Sequence, residues 1–441
     1  MQDRREEIID FLNENYQPVY MLHPTLGKVD IWPLVRIKLY FSLIRNIEDS
    51  IKGVEEQQKM KKASKIKWLN RVKAFLECLS IEKHDKLLLG AGSYRVLHEN
   101  RMFNKFFDPW LSNEGIILEY SGSNQGNYYS PTIHVNDALV IWSRLFHYHT
   151  YTLSEECQDF LDELVRKVEK KFGYPLDSIL DQLKSSLLSI SKWESLMGFL
   201  IKKTKATQVI ALCYYTNAAF GAFLAASVIG IKKIDMQHGP QTDSHGAYGK
   251  WKYILREHNP LMPNEFWTWT DASAQVIKDY SKGSVIHKAI VRGNNWISFW
   301  NNRSFDINLP NGFFLFSLQP IDKPIPERFW LFIEKTAQEG RYWWIRLHPR
   351  QSKKILLGLE ERVRQLGMET QFFFDDSRNI PLPAIFVKTA IHFTCFSGTA
   401  IEAGEFNVHT YFLDQRAKSL LMQNLDLYHW FDFESYDLVH N

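Results

Sequence analysis

Three short stretches of this chain crowd together side chains that can do chemistry. Residues 234–248, IDMQHGPQTDSHGAY, bring Asp235, His238, Asp243 and His245 into one segment. Residues 346–350 read RLHPR, and residues 395–406 read CFSGTAIEAGEF. Each follows a short apolar run that reads as a buried strand. Polar clusters at the exits of successive parallel strands are where α/β proteins place their ligand sites. Carboxylates and imidazoles there suit proton transfer or nucleophilic attack, and hydroxyls with basic groups suit phosphate.

Taken singly, each stretch has a chemical reading and a structural one. In RLHPR, His348 falls at a strand exit and Pro349 fixes the turn. Its imidazole can donate to a phosphate, with Arg346 or Arg350 adding charge; otherwise it is a turn histidine. In the third stretch Ser397, Gly398 and Thr399 open a helix whose free N–H groups and hydroxyls can receive an anion. Glu402 follows one turn in, and plain N-capping is the competing reading. Ser317 and Gln319, in SLQP at 317–320, form another candidate phosphate loop.

The first stretch is the candidate reaction centre. Asp235 lies inside a predicted strand, a costly place for a carboxylate without a role or a partner. That favours it over Asp243, which also reads as an ordinary turn aspartate. His238 sits at the lip of the segment, and Gly239 beside it lets backbone approach closely. Further upstream, Ser93 and Arg95 follow the first strand, and Glu119 ends the second. Arg95 can hold an anionic group, although structural loop roles are the simpler reading of all three.

The elements that must position these residues alternate. Strands are predicted at 85–93, 115–121, 138–143, 207–215 and 231–237, with an Ala- and Gly-rich helix at 217–231 between the last two. Strand, crossover helix, strand is the parallel βαβ unit. A short strand and a helix over 265–280 end a first domain. A second run begins at 285–295 and continues with strands at 312–320, 341–349, 368–374, 391–398 and 408–414, helices between them. This beat predicts Rossmann-like parallel sheets. The predicted divisions are a helical extension (1–80), two Rossmann-like domains (81–282 and 283–415) and a helical tail (416–441).

Several classes are excluded. The chain has no GxGxxG fingerprint, no GxxxxGK[ST] loop and no DxD triplet, which argues against dinucleotides, P-loop chemistry and a metal under a diphosphate. No cofactor and no metal are expected. His147 and His149, in an aromatic stretch, read as structural. A net charge of +3, from 53 basic and 50 acidic residues, is not that of a nucleic-acid binder. Four scattered cysteines give neither a zinc site nor a disulfide framework, so a reducing compartment fits.

The N-terminus is charged from its start and shows no signal peptide, and no apolar run of about 18 residues predicts a membrane span. A cytoplasmic protein is expected. Residues 59–79 read as a basic amphipathic helix, either the solvated face of a packed helix or a contact with an anionic membrane at its inner face. Aromatics make up 14% of the chain, more than core filling usually takes, and such rings can stack on sugars.

The order of QHG loop, HP loop and small-hydroxyl loop with Glu402 resembles GT-B glycosyltransferases of bacterial surface polysaccharide synthesis. The HP and Ser/Thr motifs are similar to those of bacterial sialyltransferases and of Kdo transferases of capsule and lipopolysaccharide, which use CMP-sugars. The resemblance covers roughly residues 80–415. It implies a GT-B fold, two Rossmann-like domains facing across a cleft, and a metal-independent glycosyltransferase. A sugar acid from a CMP donor such as CMP-Kdo would move to a glycan or lipid-linked glycan acceptor. The nucleotide would be held by Arg346, His348, Pro349, Arg350, Ser317, Gln319, Ser397, Gly398, Thr399 and Glu402. Asp235, Asp243 or His238 would act on the acceptor, held near Ser93, Arg95, Glu119 and His245. Gly398 between the two hydroxyls departs from the usual adjacent pair. A UDP- or dTDP-sugar transferase, a polyol-phosphate polymerase and a non-catalytic glycan-binding module are the alternatives.

Overall fold

A computed structural model of the protein describes all residues except 1, 53–64, 112–113, 123, 125, 177, 252–257, 282–283, 285, 302, 304–310, 322, 349–350, 376–379, 423 and 437–441. The chain forms two compact units. One comprises 3–95 and 101–293; the other is built on 294–441, with 1–2 and 96–100.

The first unit holds a seven-stranded sheet. Its strands in spatial order are Lys288–Val291, Glu265–Thr268, Lys232–Met236, Gln208–Leu212, Lys86–Ala91, Gly115–Ser121 and Thr132–Ile133. Every neighbouring pair is parallel. Counted along the chain the order is a doubly wound one, reversing between Lys86–Ala91 and Gln208–Leu212. Its central strands are runs of Leu, Val and Ile buried on both faces, as parallel sheets require. The helix Asn217–Ile229 packs tightly on Ile179–Thr204, where a Cβ on Gly221 would collide with the Ile190 carbonyl and Trp193.

The second unit repeats the design. Its sheet runs Phe372–Asp375, Trp343–Arg346, Phe313–Ser317, Thr389–Thr394, His409–Phe412, Tyr428–Trp430, all parallel. The order again reverses between the first strand of the unit and the fourth. Its main core is aromatic: Phe314, Phe329, Phe332, Trp343, Phe393 and Phe431 pack edge to face and stacked.

Four expectations are corrected. Residues 138–143 belong to the helix Val135–Leu145, which buries Val135, Ala138, Ile141 and Trp142 along one stripe. Their apolar run is too short for periodicity to tell a buried helix from a strand. The segment read as opening the second domain supplies Lys288–Val291, the edge strand of the first sheet, so the boundary falls after Gly293. The tail is not merely helical, because Tyr428–Trp430 adds a sixth strand to the second sheet. The first eighty residues are no separate extension: helices Gln2–Glu14, Trp32–Lys52 and Lys65–Ser80, with a hairpin of Tyr20–His23 and Gly27–Asp30, belong to the first unit. The predicted helix over 59–79 is seen as Lys65–Ser80, and its first part lies outside the described residues.

Candidate functional site

In doubly wound sheets the ligand crevice opens where the strand order reverses, at the carboxyl ends of the two diverging strands. In the second unit those ends are Ser317 and Thr394, which pair with each other in register. Between them lies His392, fully buried in its strand. Its Nε2 is 3.0 Å from the Ser317 hydroxyl and 3.5 Å from the Thr399 hydroxyl, and its Nδ1 is 2.9 Å from the Thr410 hydroxyl. Burial pushes the imidazole down to about 3, so the ring is neutral and both donates and accepts. Thr394 donates its hydroxyl to the Ser317 carbonyl at 2.8 Å, fixing the loop that leaves the strand. His392 and Thr410 carried no motif in the sequence. The available signal was the one that marked Asp235: a polar side chain inside an otherwise apolar strand.

Of the predicted residues, Ser317, Gln319, Ser397 and Thr399 come together at this switch point. The Ser397 hydroxyl accepts the Thr399 amide at 3.3 Å, just ahead of the short helix Thr399–Gly404, whose N-cap Gly398 brings no side-chain cap. Gly398 has ordinary right-handed dihedrals, and Glu402 is half-buried within that helix. His348 stands at the neighbouring exit. Its amide donates to Gln351 Oε1 at 2.7 Å, and Gln351 Nε2 donates to the Gln319 carbonyl at 2.9 Å. Gln351, unnoticed in the sequence, thus ties the HP loop to the SLQP loop. Arg346 is buried and turned inward, pairing with Asp375 at 2.5 Å and donating to the Ile380 carbonyl at 2.8 Å. Pro349 and Arg350 lie outside the described residues.

The first unit's switch point lies between the exits at Ala91 and Leu212. The exits carry Tyr94, in a short 3-10 turn, and Cys213, whose φ of 65° is left-handed. Such a conformation is uncommon for a non-glycine residue and turns the chain sharply out of the strand. Cys213 Sγ lies 3.0 Å from His238 Nε2 and 3.7 Å from the Tyr94 hydroxyl. Tyr94, Tyr215, His238 and His245 are half-buried and pack edge to face or tilted around the thiol, an aromatic cup.

Asp235 lies beneath this cup, fully buried. It accepts the Tyr214 amide at 2.9 Å and the Tyr248 hydroxyl at 3.0 Å. Burial pushes its carboxyl up to about 7 against the opposing pull of His238 and these hydrogen bonds. Burial lowers His238, opposed by Asp235 and the Met236 carbonyl, and pushes His245 down to about 3. Asp243 is exposed and accepts from the Tyr280 hydroxyl at 3.1 Å. A Cβ on Gly239 would meet nothing within 4 Å, so the backbone beside His238 is open.

The remaining candidates sit elsewhere. Arg95 and Glu119 form a buried ion pair at 2.5 Å, and Arg95 also donates to the Met102 carbonyl at 2.7 Å and to the Thr132 hydroxyl at 2.8 Å. His134 stands 3.2 Å from Glu119. These contacts hold the second strand to its neighbours and face the interior. Ser93 is exposed on the 3-10 turn. Among the described residues no group of three or more His, Cys, Asp or Glu is placed to hold a metal ion, and no helix is long and apolar enough to cross a membrane.

Two doubly wound parallel sheets, each with its own helices and core, make this an α/β protein with the pair of Rossmann-like units of the GT-B fold class. No protein-family model matches the chain, and no curated protein sequence matches it. Among solved structures it is similar to S. aureus MnaA with UDP, at a TM-score of 0.43 and 15% identity over 76% of this chain and 80% of that one. It is also similar to the UDP-GlcNAc 2-epimerase from Neisseria meningitidis bound to UDP-GlcNAc (TM-score 0.46, 13% identity, 79% of this chain and 87% of that one). A third is the Methanocaldococcus jannaschii UDP-GlcNAc 2-epimerase with UDP-GlcNAc and UDP (TM-score 0.40, 12% identity, 79% and 88%).

Proposed function

We propose that the chain is an enzyme acting on a nucleotide-activated sugar, a glycosyltransferase whose second unit holds the nucleotide at its switch point. The observation that carries this reading is the Ser317–His392–Thr410 relay, with Thr399 beside it. A neutral imidazole buried between hydroxyls fixes their orientation in advance. Preorganised donors of this kind stabilise charge developing on a leaving phosphate without reorganising at the moment of reaction. The Ser397 hydroxyl, accepting from the Thr399 amide, keeps its own hydrogen to donate to a ligand oxygen.

His238 is the group suited to the proton. It is half-buried at the edge of the cup, whereas Asp235 is sealed below with both oxygens engaged. In the proposed step His238 takes the proton of an acceptor hydroxyl as the new glycosidic bond forms, and the nucleotide departs with the electron pair of the old one. When ionised, Asp235 favours the imidazolium of His238, and its other oxygen is held by Tyr248.

The donor we take is a UDP- or dTDP-sugar. Arg346 is engaged by Asp375 and the Ile380 carbonyl, so the HP motif behind the CMP-sugar resemblance offers a phosphate less charge than its sequence suggests. The test is thermal stabilisation by UDP, dTDP and CMP on wild type and on Ser317→Ala, which removes one hydroxyl only. A ligand at 100 times its dissociation constant adds about 2.7 kcal/mol. A diphosphate-selective shift lost in the variant is the expected result. A CMP-selective shift would replace the donor, and no shift with any nucleotide would sink the reading in favour of a glycan-binding module.

A further inference from the structure

We infer that Cys213 is a positioning residue of the first unit: its thiol donates to Nε2 of His238 and holds the imidazole with that nitrogen bare toward the cup. The inference rests on the reading of His238 as the group that takes the acceptor proton, and it names the partner that readies it. The backbone is the first observation. Cys213 leaves the strand Gln208–Leu212 at a φ of 65°, and its carbonyl accepts the Thr216 amide at 3.2 Å in the turn that leads into the helix Asn217–Ile229. Glycine enters that left-handed conformation freely, and a cysteine does so at a cost. Strain of this kind concentrates where a side chain has to be aimed.

What it aims is a sulfur with three polar neighbours. Sγ lies 3.0 Å from His238 Nε2 and 3.7 Å from the Tyr94 hydroxyl, and the Tyr215 hydroxyl bonds to it as well. Cys78, Cys157 and Cys395 are buried, whereas Cys213 is half-buried at the cup. Burial raises the thiol and lowers the imidazole, so both are uncharged at neutral pH and one hydrogen lies between Sγ and Nε2. The Met236 carbonyl favours a proton on the ring, and a carbonyl can only accept. Since Nε2 is turned to the sulfur, that proton sits on Nδ1, which is buried and has no other partner. Nε2 therefore keeps its lone pair, and the thiol is the donor.

A thiol suits both halves of a proton transfer. It is a weak donor, so it orients the nitrogen without masking the lone pair from an acceptor hydroxyl. Once Nε2 carries the proton, the sulfur accepts from the imidazolium and turns its own hydrogen to the oxygen of Tyr94 or Tyr215, which can accept it. The ring thus keeps one partner in both protonation states and does not have to rotate between them. Asp235, below, favours the charged ring, while Cys213 fixes which nitrogen receives the proton.

The experiment is long-range proton–nitrogen NMR of the imidazoles in the full chain with labelled histidine, the His238 signals being identified by their loss in His238→Gln. Wild type is expected to show Nδ1 protonated and Nε2 bare at neutral pH. Cys213→Ala should move the hydrogen to Nε2 or spread it over both nitrogens. Cys213→Ser, which keeps a donor on the same backbone, should restore the wild-type pattern; a merely structural cysteine would move neither signal. A wild-type ring protonated at Nε2, or a tautomer indifferent to Cys213→Ala, would overturn the proposal. No nucleotide or glycan enters this measurement. The expected tautomers in a chain that no nucleotide stabilises would therefore support the hold of Cys213 on His238 and count against the function reading alone.

Discussion

At the scale of single residues, Asp235 and His392 are two fully buried ionisable groups that burial drives toward neutrality, the first up to about 7 and the second down to about 3. Their stability signatures are opposite. The folded Asp235 holds its proton more tightly than the unfolded chain, so its contribution is full below its ordinary value of 3.8 and is lost as pH rises through about 7. Asp235→Asn should therefore gain in urea stability relative to wild type as pH rises across that window; a constant difference would refute the buried, proton-holding carboxyl. His392 has a depressed value, so its contribution is full above the ordinary 6.5 and is lost as pH falls toward about 3. His392→Gln should flatten the acid limb of the denaturation curve, at a cost near neutrality of about 1–3 kcal/mol for hydroxyls left without partners. Asp235 was legible in the sequence as a carboxylate in a strand. His392 carried the same mark but no motif around it. The left-handed backbone at Cys213 was not legible at all, because nothing about a cysteine encodes a positive φ.

At the scale of elements, the N-terminal helices acquire a purpose the sequence did not disclose. Arg36, fully buried on the helix Trp32–Lys52, donates to the Gly246 carbonyl at 3.1 Å, to Gly249 and Lys250, and to Asn13, and lies 4.1 Å over the Trp251 ring. It has no carboxylate partner in these contacts, and burial pushes it down to about 10. Tyr40, one turn on, donates to the Ser244 carbonyl at 2.6 Å, and a Cβ on Gly246 would strike its ring. The helix thus clamps the segment that follows His238. Arg36→Met should destabilise the first unit by about 3–5 kcal/mol, since several buried carbonyls lose their donor together, and Gly246→Ala should weaken the same clamp through overpacking. Chemical denaturation would read both; a change within about 0.5 kcal/mol would show that the loop holds itself. The strand and helix beat was legible because each element carries its own periodicity. This clamp was not, because it joins residues some two hundred positions apart through backbone carbonyls, which no side-chain pattern reports.

At the scale of the whole molecule, both sheets reverse their strand order after the first strand of the sheet, and each reversal gathers a different chemistry. Alternating elements announced parallel sheets, but strand order depends on which helix crosses which face, and short strands of similar composition do not encode it. The proposed division of labour, nucleotide at the second unit and acceptor at the first, leads to a prediction for each unit. Hydrogen exchange slows where a ligand adds bonds or suppresses local opening, and amides already held in a ladder are protected beforehand. Saturating nucleotide should therefore leave Phe313–Ser317 and Thr389–Thr394 nearly unchanged, since both are central strands paired on each side. Protection should appear instead in the exits, at Gln319 and across Cys395–Thr399, and the loop bearing Gln351 should follow because it is bonded to the Gln319 carbonyl. Tyr94, Cys213 and His238 should respond to an acceptor glycan and not to nucleotide alone. Protection by nucleotide confined to those three would move the phosphate to the cup of the first unit. The neutral imidazole of His392 would then be a structural pin in a sheet, and the hydroxyl relay would lose its claim to the leaving group.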